Sequence, residues 1–178
     1  MSELIVFGFS SPQGADEART DLLYIDKEYL ADVGDATIAT VDSNGAIQLN
    51  QMVNLWTVSP GGSPLWRLMV GLLFLQPLLG VLKPSTARGV SEALIGCGIN
   101  EAFMKDMSTM LQPGAAVLFI LSSESASGRV IDQVKPHAAT QLRTRFDNSK
   151  ESQLHVALEL AHTEAKQHRA SINGVILG

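Results

Sequence analysis

Four side chains near the C-terminus have the spacing of a metal site. Glu151, His155, Glu159 and His162 recur at i, i+4, i+8 and i+11, which on a helix puts imidazole and carboxylate on one face. Such a set can hold Zn²⁺ or half of a di-metal pair. A di-metal centre also draws ligands from facing helices, and Glu101 and Asp106 are not clearly spaced to supply them. The same pattern makes the polar face of an amphipathic helix. The expectation is therefore no metal and no cofactor, with His155, Glu159 and His162 as the side chains that would hold a metal if one bound.

Other chemistry finds less support. Gly61-Gly62 lies in the Pro/Ser-rich stretch Ser59–Pro64, and Gly8 and Gly14 flank Ser10-Ser11 too sparsely for a phosphate loop. No nucleophile elbow or Cys/His pairing stands out. Cys97 is the single cysteine and its neighbours Ile95, Gly96, Gly98 and Ile99 mark it as a packing residue. His137, after Pro136, reads as exposed in a turn. Asp16, Glu17 and Asp21 read as a solvated helix face. The chain is expected not to be an enzyme. A net charge of -5 and a pI near 5.3 argue against nucleic acid as a partner.

The elements that would position these residues follow from periodicity. Leu4–Phe9 reads as a buried central strand. Ser11 and Pro12 open a helix running to about Leu30, with Ala15, Ala18, Leu22, Ile25 and Tyr29 inward. Gly34 and Asp35 break the chain before a strand at Ala36–Val41. Asp42-Ser43-Asn44-Gly45 is a hairpin turn of type I′ leading into Ala46–Val53. Asn100 caps a helix over Glu101–Leu111 whose methionine stripe is adaptable core. Ala115–Leu121 is a buried strand and Ser125–Val134 a helix. Ala139–Phe146 is a strand whose Gln141, Arg143 and Arg145 mark a solvated edge. A helix from Lys150 to about His168 follows, and the tail Ile172–Gly178 is left open between strand and docking segment.

The longest apolar run, Leu65–Leu82 (LWRLMVGLLFLQPLLGVL), sits inside this series. Gly71 and Gly80 allow close helix approach and Pro77 interrupts. Ala87–Gly98 reads as a return helix. The element order fits an α+β fold: a ferredoxin-like split βαβ sheet with an inserted apolar helical hairpin and a C-terminal helix. The expected division is 1–149 for the α/β domain, with the hairpin at 65–98, and 150–178 for the helix and tail. The run approaches the roughly 20 residues a bilayer span requires. A single span would put strands of one sheet on opposite sides of a membrane. A fully transmembrane hairpin is also disfavoured, because Lys83, Arg88 and Glu92 on the return leg would each cost about 3 kcal/mol near the bilayer centre.

The strings SELIVFGF, ADEA, DKEYLADVGDATIATVDSNGAIQLNQMVNL, GLLFLQPLLG and INEAFMKDMSTMLQPGAAVLFIL resemble a bacterial family of unknown function. The similarity covers about Ser2–Arg145. Members of that family are commonly described as membrane proteins, and their middle hairpin looks like a glycine zipper. In this chain Lys83, Pro84, Ser85, Thr86 and Arg88 stand where the family has small residues. The family has no established reaction, so the resemblance implies no catalytic residues.

With only 17% charged and 46% hydrophobic residues, more surface than usual is expected to be covered. The leading expectation is a non-enzymatic, self-assembling protein that homo-oligomerises through the apolar hairpin. Its contact residues are Trp66, Leu68, Gly71, Leu72, Leu73, Phe74, Leu75, Leu78, Leu79 and Gly80. The alternatives are a monotopic membrane-associated protein using the same hairpin on lipid, and packing of the run against the chain's own sheet. A further alternative is metal binding by the C-terminal helix. MSELIVFGFSS has no basic n-region and too short an apolar run for a signal peptide. The expected location is cytoplasmic, with peripheral or monotopic attachment at the inner membrane as the alternative.

Overall fold

The computed structural model describes residues 2–22, 33–51, 68, 71–73 and 80–177. Along the chain run β1 (Ser2–Phe9), α1 (Pro12–Leu22), β2 (Val33–Val41), β3 (Ile47–Gln51), α2 (Pro84–Cys97), α3 (Glu101–Met110), β4 (Ala116–Ser123), α4 (Glu124–Val134) and β5 (Thr140–Phe146). A short 3-10 turn (Asn148–Lys150) leads into α5 (Glu151–Leu177). The fold is α+β. Its sheet has five strands in the order β3-β2-β4-β1-β5, and every neighbouring pair is antiparallel.

The sheet is covered on both faces, which explains why β1 and β4 are unbroken apolar runs rather than alternating ones. Ile5, Phe7, Leu118 and Ile120 pack with Ala15, Ala18 and Leu22 of α1 and Val130 and Val134 of α4. The residues between them in sequence, Leu4, Val6, Val117, Phe119 and Leu121, point the other way. They meet Val90 and Leu94 of α2, Phe103 and Met107 of α3, and Leu154, Leu158 and Ala161 of α5. Each such large apolar side chain contributes about 1.5–3 kcal/mol on burial, so the two interleaved sets carry most of the fold's stability.

Strand position follows polarity. β4 lies between β2 and β1, where both its faces are needed. β3, IQLNQ, alternates half-buried and exposed residues and sits at one end. β5 takes the other end with Gln141, Arg143 and Arg145 exposed, the solvated edge expected from its sequence.

Several local devices are those the sequence announces. Ser11 Oγ accepts from the Gly14 N–H at 3.4 Å and Pro12 opens α1. Asn100 Oδ1 accepts from the Phe103 N–H at 2.8 Å at the start of α3. Others differ. The Asp42–Gly45 hairpin forms, but the turn closes between Asp42 O and Gly45 N (3.1 Å), so Ser43 and Asn44 are its central residues. Gly45 follows at φ +83°, while Asp42 Oδ1 accepts from the N–H groups of Asn44 and Ala46. That is a type I turn with a left-handed residue after it rather than the expected type I′. Gly34 and Asp35 do not break the chain: they belong to β2, and its register against β4 shifts between Val33 and Asp35. An extra residue at a strand end is absorbed as a bulge. The tail expected as strand or docking segment continues α5 to Leu177.

Candidate functional site

The apolar run turns inward at Leu68 and at Gly71, Leu72 and Leu73. Leu68, Leu72 and Leu73 are 4%, 3% and 0% exposed and belong to the core under α2, α3 and α5. Residues 71–73 are helical and lie against α5. A side chain at Gly71 would place its Cβ 2.5 Å from Leu158 Cδ1, so glycine is what permits this approach. His162 Nε2 stands 3.0 Å from the Gly71 carbonyl oxygen. A carbonyl only accepts, so Nε2 carries the proton. Gly80 is exposed with open space around it. Trp66, Phe74, Leu75, Leu78 and Leu79 lie outside the described residues.

The potential metal ligands are not brought together. His155 and Glu159 meet as an i, i+4 pair at 3.8 Å, while His162 is committed to Gly71. Among the described residues no three His, Cys, Asp or Glu side chains converge as a metal site would need. Burial pushes the Cys97 thiol up, and the charges of Asp147 and Glu151 raise it further. It stays protonated in the core.

Three polar arrangements are tertiary and were not visible in the sequence. Glu164 on α5 accepts from the Lys83 N–H at 2.5 Å and from the Thr86 hydroxyl. The residue before α2, Lys83, makes no side-chain cap, so a carboxylate from another helix caps α2 in its place. The Thr86 hydroxyl and the Lys83 N–H hold this carboxyl below its usual range. The cap borders a groove of about 440 Å³ lined by Thr86, Gly89, Val90, Ala157, Leu160 and Gln167, among others.

His137 is the second case. It is half-buried and tied to α1, with Nε2 2.5 Å from Asp21 Oδ2 and Nδ1 4.0 Å from Glu17 Oε2. It is thus not simply exposed, and Asp21 is not simply solvated. The third case is Glu3, 6% exposed, whose Oε1 accepts from Arg143 Nη2 at 2.8 Å and Nε at 3.3 Å. Burial alone would raise its carboxyl. The hydrogen bond from Arg143, helped by Ser127 and by the charges of Arg143 and Arg145, offsets this and leaves the pKa below the usual value. Only pairing across 140 residues links Glu3 to Arg143, so no local pattern could have marked it.

The large apolar side chains exposed among the described residues are Val81, Ile95, Val156 and Leu160. They lie on α2 and α5 or, for Val81, just ahead of α2. Among the described residues no helix is long and apolar enough to cross a membrane.

Neither the comparison with curated proteins nor that with solved structures finds a match. A family model does match, over residues 61–159. That segment begins ahead of the apolar run, includes α2 through β5, and ends inside α5, more than half of the chain. The layer in which Gly71, Leu158 and the core of α2 and α3 meet is thus largely within the matched region, and by that match the chain belongs to the DUF1269 family, proteins of unknown function.

Proposed function

We propose that this is a non-enzymatic, self-assembling α+β protein whose contact between copies is the outer surface of α2 and α5. The observation that carries the reading is the placement of Val81, Ile95, Val156 and Leu160. These large apolar side chains are 36–63% exposed; Ile95, Val156 and Leu160 sit on the two helices that border the Thr86–Gly89–Leu160 groove, and Val81 lies just ahead of α2. Gly89 and Gly96 on α2 have open space where a Cβ would stand, so a second helix can approach closely there. The contact is thus moved from the first leg of the apolar hairpin, whose described leucines face the core, to its return leg. The half-buried histidines His137 and His162 are spent in bonds that join elements, in keeping with a structural rather than catalytic role.

In this reading the protein is cytoplasmic and its partner is itself. The fold is read as ferredoxin-like: β1-α1-β2-β4-α4-β5 forms the double split βαβ unit, and β3 is added beside β2. The helical residues 71–73 and α2 are read as parts of the inserted hairpin.

Size-exclusion chromatography with light scattering, without detergent, tests the proposal. A discrete multimer is expected, and Ile95→Glu with Leu160→Glu should give smaller soluble species. A wild-type monomer, or unchanged mass in the double variant, overturns it. Recovery only in the membrane fraction, with binding to liposomes, would replace it by the monotopic alternative.

A further inference from the structure

We propose that the outer edge of β3 is a self-pairing edge, through which two copies of this chain join their sheets into one continuous antiparallel sheet. β3 ends the strand order, and no described strand lies beyond it.

The hairpin decides which backbone groups face outward. Asp42 N–H donates to Ala46 O at 3.0 Å, making these two the hydrogen-bonded pair that closes the turn. Antiparallel pairs alternate between bonded and non-bonded. Thr40 with Gln48 and Ile38 with Asn50 are therefore the bonded pairs of the ladder. The N–H and C=O groups of Ile47, Leu49 and Gln51 point away from β2. Natural edges are blunted by charge, proline or bulges. β3, IQLNQ, has no charge and no proline, and its register against β2 is unbroken from Ile47 to Gln51.

The opposite edge shows what protection looks like in this molecule. β5 carries exposed Arg143 and Arg145, and its far end is tied to the α2–α3 connection. Thr144 Oγ1 donates to Gly98 O at 2.7 Å and Asp147 N–H to Cys97 O at 3.0 Å. Two β5 strands would set guanidinium near guanidinium, a destabilising pairing.

A second copy fits β3 because the strand is neutral and complementary to itself about Leu49. Antiparallel pairing on a twofold axis sets Leu49 opposite Leu49 of the second copy and Ile47 opposite Gln51 of the second copy. These are the residues whose backbone groups point away from β2. Gln48 then faces Asn50 of the second copy in the closer, non-bonded pair, where the exposed amides can hydrogen-bond. The interface is isologous and closes on itself. The inference rests on the proposed self-association only in taking the partner to be the same chain; the surface is a different one.

Two double variants test it by light scattering and urea melts. In Gln48→Lys with Asn50→Lys, each introduced lysine faces another across the axis, and the edge-paired species should halve in mass. In Gln48→Lys with Asn50→Glu, each introduced lysine faces an introduced glutamate, and pairing should be kept or tightened. Both place charge only at exposed positions, so their melts should match each other at dilutions where neither pairs. Equal behaviour of the two variants, whether both pair or both fail, overturns the inference. So does a wild-type protein that stays monomeric at every concentration; Ile47 and Leu49 amides that resist exchange in that monomer would show the edge covered by its own chain. Leu160→Glu separates this inference from the proposed function. If it abolishes all assembly while the double-lysine variant assembles as wild type, only the edge is refuted. If Leu160→Glu leaves an edge-paired dimer, both stand.

Discussion

Glu3 shows how much one buried group depends on one partner. Its side chain is 8% exposed, that of Arg143 is 50% exposed, and Oε2 has no hydrogen-bond partner among the described residues. Removing Arg143 leaves a buried carboxylate with its main donor gone. Arg143→Met should destabilise the fold by about 1–2 kcal/mol at neutral pH, the lower part of the range because the guanidinium is half in solvent. The sign of the pH dependence follows from the pKa. In the wild type the Glu3 carboxyl is held below its usual value, so its contribution is present above the ordinary carboxylate range and is lost as pH falls through the folded-state pKa. In the variant, burial acts with less opposition and favours the protonated form. The stability gap between the two proteins should therefore narrow on acidification. Urea melts of both at neutral and acidic pH measure it, and a gap independent of pH would refute the role given to Glu3.

At the scale of elements, caps written in adjacent residues were legible and caps supplied across the fold were not. Asn100 and Ser11 announce α3 and α1 because capping residue and helix are neighbours in sequence. The start of α2 has Lys83 and Pro84 and no local side-chain cap. Its cap, Glu164, arrives from α5, and nothing in the spacing of residues 83 and 164 could reveal that. The hairpin was legible for the same local reason, yet its turn type was not: Asn-Gly suggests φ > 0 at both residues, but the Asp42 carboxylate, bonded to two N–H groups, favours the turn one residue earlier. The Glu164 cap has a measurable consequence. Its carboxyl is held below the usual range by the Thr86 hydroxyl and the Lys83 N–H, so the cap is intact above that range and is released as pH falls through the lowered value. Glu164→Gln should speed amide exchange in the first turn of α2 at neutral pH while leaving α3 and α4 unchanged. Equal protection of that turn in both proteins would show that the carboxylate does not hold it.

For the whole molecule the question is where the apolar run is spent. Composition and length left three places open: lipid, other copies, or the chain's own core. The choice depends on which helix faces the run, and neither the pairing of Gly71 with Leu158 nor the bond from His162 to the Gly71 carbonyl is encoded in local periodicity. Strand order was hidden for a similar reason. The hairpin joins β2 to β3, but only the two-faced apolar character of β4 seats it between β2 and β1. The metal-like face of α5 was legible as a face, yet His162 leaves it to hold the run. Burial makes two substitutions diagnostic. Leu73 is 0% exposed and Leu160 is 63% exposed. Leu73→Ala should cost about 2–5 kcal/mol through lost burial and a cavity, with no change of mass in the fraction that remains folded. Leu160→Glu should leave the unfolding free energy of the single chain within about 0.5 kcal/mol of wild type while reducing the mass. The two variants thus move different observables. If Leu73→Ala instead lowered the mass at unchanged stability, the first leg of the run would be a contact between copies, and its place in the core of a single chain would have to be given up.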